Sequence, residues 1–311
     1  MKIFLTGATG VVGRRLVPIL LARGHQVAAM ARSPANAEAI ARLGGEPVRV
    51  ELFGEIALSR AMTGCDAAIN LATHIPDSSL AALRPGAWAE NDRIRKLGSE
   101  TLARAATAAG VGVLIQESFA PVYPDRGAAW IDETAPLQPA RYNRTVADAE
   151  RAAHGFSARG GRGIVLRFGA FYGPDAWQVA ELIRFIRKGW VPLPARPESF
   201  ISPVSHDDAA SAVAAALAAE AGTYNVVDDR PLPRREFYDL LAAELDVPPP
   251  KLPPFWLAPA MGSLVRLLGR SQRISNRKLR EATGWAPRYP SVREGWPATL
   301  REMGELPRHA A

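Results

Sequence analysis

With 311 residues, 48% of them hydrophobic, and a formal charge of +7, the chain has room for one large α/β domain with a smaller appendage. The excess charge comes mostly from arginines interleaved with acids, since lysine occurs only at 2, 96, 188, 251 and 278, and this scatter argues against a nucleic-acid footprint. The single Cys65 rules out an internal disulfide framework and suits a reducing compartment, and the lack of an apolar run of eighteen residues leaves no expected membrane partner, so a cytoplasmic location is expected.

Residues 2–5 are a short apolar run that stops at a Thr-Gly turn, the pattern of a strand and not of a signal peptide. TGATGVVG, residues 6–13, reads as a glycine-rich turn, and RRLVPILLARG as a helix with Leu16, Ile19 and Leu20 on its apolar side and a stop at Gly24. Strand QVAAMAR, helix ANAEAIARLG, strand PVRVEL, helix ALSRAMTG, strand DAAINLA, helix RKLGSETLARAATAAG and strand VGVLIQES follow in turn. This alternation predicts right-handed βαβ units, and the uninterrupted apolar strands predict burial on both faces. The expected fold is α/β, a Rossmann-like doubly wound parallel sheet. PARYNRTVADAE, residues 139–150, reads as a further helix that brings Tyr142 and Val146 onto one face. Beyond about residue 174 the pattern loosens: proline-rich segments at 189–204 and 247–256 flank a helix at 207–220, a strand at 222–229 and a helix at 235–245. Residues 1–174 are expected to bind a dinucleotide, and 175–311 to form mainly a smaller substrate-binding region with some segments returning to the large sheet.

Gly7, Gly10 and Gly13 stand between the first strand and the first helix as G-x-x-G-x-x-G. Glycine permits a tight turn and close approach to a pyrophosphate, whose charge the free amides and dipole of a helix N-terminus favour. The second strand ends Met30-Ala31-Arg32-Ser33, with no carboxylate to accept from an adenosine ribose. Arg32 can pair bidentately with a 2′-phosphate and Ser33 can add a donor, so NADP(H) is the expected cofactor, with Arg14 as a second phosphate candidate.

TGATGVVG, GCDAAINLA at 64–72, LRFGAFYGP at 166–174 and the closing GWAPRYPSVREG occur in order over almost the whole chain. Together they resemble an extended short-chain dehydrogenase/reductase, of the group of NAD(P)-dependent epimerases, dehydratases and reductases. The resemblance implies that Thr9, Gly10, Val11 and Val12 cover the pyrophosphate, that Leu52 borders the adenine, and that Leu71, Ala72 and Thr73 line the cofactor. It also implies a catalytic Ser or Thr at the end of the fifth strand and a Tyr-x-x-x-Lys helix. Aligned on ESFAPVY and YNRTVADAE, this chain has Phe119 at the Ser/Thr position, with Ser118 one residue earlier, and keeps Tyr142 and Glu150 but places Val146 where the lysine belongs. Ala170 replaces an Asn that sugar-nucleotide members use for substrate.

The missing lysine removes help for proton delivery, a contribution worth about 10²–10⁴-fold. Three routes remain open: Tyr142 as acid, aided by oxidised nicotinamide, Arg141 or Arg144; Ser118 with Tyr123 holding the substrate oxygen while water supplies the proton; or a substrate whose own phenolic hydroxyl stabilises the oxyanion. Phe119, Phe171, Trp88 and Trp177, with Trp130 and Trp190, are candidates to line a pocket for a flat apolar ligand, and residues 75–91 and 177–190 are candidate lids. His206, Asp207 and Asp208 mark a helix start and not a metal site, and no metal is expected. The expected activity is an NADPH-dependent carbonyl reductase, a ketoreductase of atypical short-chain type acting on a bulky, aromatic, polyketide-like small molecule of secondary metabolism. Working as a monomer or homodimer is expected. The alternatives are a nucleotide-sugar epimerase or dehydratase, disfavoured by Val146, Phe119 and Ala170, and a non-catalytic NADP(H)-binding redox sensor.

Overall fold

The computed structural model describes residues 1–82, 84, 86–140, 143–192, 194–256 and 263–306. The first half runs β1 (Lys2–Thr6), α1 (Gly13–Ala22), β2 (Gln26–Ala31), α2 (Pro34–Arg42), β3 (Glu46–Arg49), α3 (Glu55–Ala61), β4 (Ala67–Asn70), α4 (Ser79–Ala82) and α5 (Ala89–Arg93). A π-helical turn (Ile94–Gly98) then leads into α6 (Ser99–Ala108), β5 (Val113–Phe119), β6 (Trp130–Ile131), α7 (Val146–Ala158) and β7 (Arg162–Phe168). The remainder comprises β8 (Ala170–Tyr172), α8 (Trp177–Arg187), β9 (Phe200–Ile201), β10 (Pro203–Ser205), α9 (His206–Ala216), β11 (Gly222–Val226), β12 (Leu232–Pro233) and α10 (Arg234–Glu244). It ends with α11 (Ser263–Leu268), β13 (Arg273–Ile274), α12 (Arg277–Thr283) and α13 (Val292–Met303).

Seven strands form one sheet in the order β11-β7-β5-β4-β1-β2-β3, and every pairing in it is parallel. Both faces are covered at the centre, which is why β1, β2 and β4 are largely apolar without alternation. Ile3, Leu5, Val27, Ala29, Ile69 and Ile115 pack toward α1 and α9, while Phe4, Ala28, Ala68 and Leu114 pack toward α3 and α6. The doubly wound parallel sheet expected from the sequence is therefore the observed one. Strand order reverses at β1 and β4, so the ligand crevice of such a sheet opens at their carboxyl ends.

Local departures have physical causes. The helix expected from residue 95 carries a π turn at its start, in which the Ser99 N–H donates to the Ile94 carbonyl five residues back. The helix expected over 139–150 begins only at Val146, after turns at 144–145, and Tyr142 lies outside the described residues. Away from the sheet, Tyr172, Val179, Ile183, Phe237, Leu241, Trp296 and Leu300 form a second core between α8, α10 and α13. Trp296 sits at its centre, with ring centroids 5.2 Å from both Tyr172 and Phe237. Among the described residues no helix is long and apolar enough to cross a membrane.

Candidate functional site

The glycine turn lies at the mouth of the crevice. Gly7 has φ +74°, and a Cβ there would run into the Leu71 carbonyl at the end of β4. A Cβ on Gly13 would strike the Gly7 carbonyl, so both positions require glycine for the turn to close against α1. Gly10 differs: its missing Cβ faces nothing nearer than the Gly7 carbonyl at 3.2 Å, and Gly10, like Thr9, is exposed. Val12 stands at the N-cap of α1 without a side-chain cap, and among the described residues the amides of Val11 and Val12 have no acceptor. An open glycine and unspent amides at a helix N-terminus fit a pyrophosphate.

At the end of β2, Arg32 is exposed and pairs with no carboxylate among the described residues. Ser33 caps α2, its oxygen accepting from the Asn36 N–H at 3.2 Å, which leaves its own O–H to donate. These groups fit a 2′-phosphate. Arg14 does not: it pairs with Asp175 at 2.5 Å, and Arg15 joins the same carboxylate at 2.6 Å. Leu52 is also placed otherwise than expected. It is 4% exposed, within the core and against Gly98, so it has little surface to offer an adenine. Leu71, Ala72 and Thr73 are half-buried at the carboxyl end of β4.

Ser118 and Tyr123 are corrected by the structure. Both are sequestered, with exposures of 1% and 0%. The Ser118 hydroxyl donates to Glu150 Oε1 at 2.6 Å, and Arg167 grips the same carboxylate through Nε and Nη2, both at 2.7 Å. Arg167 Nη1 also donates to the Tyr123 oxygen at 2.7 Å, and the Tyr123 hydroxyl donates to Asn225 Oδ1 at 2.8 Å. This network ties β5, α7, β7 and β11 together. Burial pushes the Tyr123 phenol up to about 12, against the lowering effect of Arg167. Neither hydroxyl is available as an acid in the crevice. Val146, at the position of the expected lysine, is 1% exposed in the first turn of α7.

Among the aromatic candidates, Phe119 and Phe171 are half-buried, and the Phe171 ring lies 5.4 Å from Phe168 and 5.6 Å from His206. Trp88 is half-buried and donates Nε1 to the Ala82 carbonyl at 3.0 Å. Trp177 opens α8, and this helix meets the other candidate lid where Ser79 donates to Glu181 at 2.5 Å. Trp130 and Trp190 are instead exposed, Trp130 under the Arg273 guanidinium and Trp190 edge-on to Phe185. His206 is buried beneath this region, and loss of solvation lowers its pKa to about 4. The neighbouring acids work for the fold: Asp207 pairs with Arg15, and Asp208 accepts from the Ser205 hydroxyl and from the Arg288 and Tyr289 amides.

Sequence reasoning missed a second buried ion pair. Arg95, in the π turn, is 5% exposed and donates Nη2 to Glu117 Oε1 of β5 at 2.9 Å. Its signal was present in VLIQESF, where a glutamate interrupts a strand whose neighbours are buried on both faces.

Comparison with known proteins agrees with this architecture. The chain is 33% identical to a 3-diazoavenalumate denitrifying reductase of Streptomyces sp, over 95% of this chain and 99% of the relative. It is 30% identical to a 4-hydroxy-2-methyl-3-oxo-4-farnesyl-3,4-dihydroquinoline-1-oxide ketoreductase of Stigmatella aurantiaca, over 98% and 97% of the two chains. Among solved structures, the human epimerase family protein SDR39U1 with NADPH superposes with a TM-score of 0.79 at 22% identity, over 97% of this chain and 99% of that one. A UDP-glucose 4-epimerase from Thermotoga maritima gives 0.79 at 22% identity, over 98% and 99%. Residues 3–226 match the model of the NAD dependent epimerase/dehydratase family, to which this chain belongs, with a nicotinamide dinucleotide as its cofactor.

Proposed function

We propose that the protein is an NADPH-dependent oxidoreductase that reduces a flat aromatic electrophile, either a ring ketone or an aryl diazo compound, without a protein acid of the Tyr-Lys kind. The observation that carries this reading is that the two positions that would assist a catalytic tyrosine are apolar: Phe119 ends β5 half-buried, and Val146 is packed at 1% exposure. The bound nicotinamide supplies the hydride. The glycine turn and the Val11 and Val12 amides would hold the pyrophosphate, Arg32 and Ser33 the 2′-phosphate, and Phe119, Phe171, Trp88 and Trp177 the planar substrate.

A crevice in which Val146 stands in place of an assisting lysine suits acceptors that demand little from an acid. Hydride addition to a ring ketone leaves an alkoxide that takes its proton from water, and a neighbouring phenol lowers the need for a donor. Hydride addition to an aryl diazonium carbon framework releases N₂ and leaves the arene, so it requires no acid at that step. The two relatives at 33% and 30% identity carry names of these two reaction types, one denitrifying a diazo compound and one a ketoreductase on a quinoline oxide. A nucleotide sugar fits less well, because Ala170 offers no side-chain polar group.

The test is a panel of polycyclic ketones, quinones and aryl diazo acids, with NADPH oxidation followed by absorbance and products identified by mass spectrometry. Saturable turnover of at least one aromatic class is expected. Turnover of UDP- or dTDP-sugars in its place would overturn the reading.

A further inference from the structure

The two buried arginine–carboxylate pairs of this protein are completed differently. In Arg167–Glu150 both carboxylate oxygens accept from arginine, and Ser118 adds a third bond. In Arg95–Glu117 one bond is made, at 2.9 Å, while Arg95 Nε and Glu117 Oε2 have no partner among the described residues. Asn91 Nδ2, four residues before Arg95 and so on the same helical side, is unpartnered as well. A buried ion pair offsets its desolvation only when the remaining valences are satisfied, so a cluster of three open ones points to a partner outside the chain.

The position of the cluster says what that partner is. Along the sheet edge the order is β2, β1, β4, β5, which places Arg32, the glycine turn, Leu71 to Thr73 and then Glu117 in succession. Three strand spacings, about 14 Å, separate the first from the last. If Arg32 takes the adenine end, Glu117 stands at the nicotinamide end. The π turn carrying Arg95 also packs on the start of α7, where Thr145 donates to Asp92 at 2.6 Å beside the apolar Val146. π-Helical turns recur at functional sites.

We propose that Arg95, positioned by Glu117, binds the nicotinamide-ribose hydroxyls of the cofactor and so replaces the lysine absent at Val146. A vicinal diol matches the pair: one hydroxyl accepts from the guanidinium and the other donates to the carboxylate. This inference rests on the dinucleotide reading of the crevice and not on the identity of the substrate.

The experiment measures binding by titration calorimetry, without turnover. It uses whichever of NADPH and NADH the parent protein binds more tightly, and the matching adenine half, 2′,5′-ADP or ADP. Arg95→Ala is expected to weaken the whole dinucleotide about 10- to 100-fold, the range of lost charge-assisted hydrogen bonds, and to leave the adenine half unchanged. Glu117→Gln should weaken the dinucleotide less, and Arg95→Lys should restore part of the loss. These two variants carry the test if Arg95→Ala does not fold. Unchanged dinucleotide affinity in folded variants overturns the proposal, because the open valences are then met by ordered water. Equal weakening of both ligands also overturns it, showing a structural role. A parent protein that binds no dinucleotide overturns the cofactor assignment itself, a separate result.

Discussion

Glu150→Ala tests whether the Ser118–Glu150–Arg167–Tyr123 network is scaffold or chemistry. The substitution leaves the Arg167 guanidinium, 5% exposed, without its carboxylate. Breaking one partner of a buried pair costs about 3–5 kcal/mol, because the surviving charge stays desolvated. For 311 residues, at about 2.1 cal/mol/K of unfolding entropy each, the total is about 0.65 kcal/mol/K, so Tm should fall by about 5–8 °C. Ser118→Ala removes one of three bonds to that carboxylate, a loss of about 1.5–3 kcal/mol and about 2–5 °C. The double variant Glu150→Leu with Arg167→Met should recover at least half of the single-variant loss, since neither residue then buries a charge. Scanning calorimetry reads the stability, and a dinucleotide titration on the same samples should change by less than about twofold. An unchanged Tm in Glu150→Ala, or a Ser118→Ala protein that keeps its Tm and loses turnover, would refute the reasoning.

Arg32→Ala should weaken NADPH by about 10- to 100-fold and leave NADH unchanged, and equal affinities in the parent protein would remove the 2′-phosphate from the account. Tyr123→Phe strands Arg167 Nη1 and Asn225 Oδ1 in the interior, so about 1–3 kcal/mol of stability should be lost with turnover intact, as denaturant unfolding would measure. His206 gives a pH dependence. Burial lowers its folded pKa from 6.5 to about 4, so between these values the unfolded chain binds a proton that the folded chain refuses. Stability should therefore fall as pH drops through this window and level off below it, by about 3 kcal/mol in all. Asp175, Asp207, Arg14 and Arg15 face the same ring. His206→Phe should lack this segment of the stability profile, and an unchanged profile would show that other groups produce it.

The parallel sheet was legible because its first strands are short apolar runs and the helices between them stop at glycines, as RRLVPILLARG does at Gly24. The glycine turn was legible because three glycines between a strand and a helix have few other uses. Ser118 and Tyr123 misled for one reason: a hydroxyl near the end of a central strand looks the same in sequence whether it faces a crevice or a buried carboxylate. Only the fold brings Glu150, 32 residues from Ser118, to 2.6 Å of it. Leu52 shows the same limit, since its contact with Gly98 follows from how α6 and its preceding turn lie against the loop after β3. Arg95 is simply the first residue of the predicted helix RKLGSETLARAATAAG, and the π turn that buries it has no marker in IRKLG.

That π turn also determines how the crevice can change. A π turn accommodates one residue beyond what an α-helix would hold, and each residue advances a helix by about 100°. Losing a single residue between 89 and 94 would let the segment relax to ordinary helix and swing position 95 away from β5, with Lys96 or Ile94 brought toward Glu117 instead. A one-codon deletion in this short stretch thus exchanges the group opposite Glu117 for an amine or a hydrocarbon, while the strand order and the glycine turn are untouched.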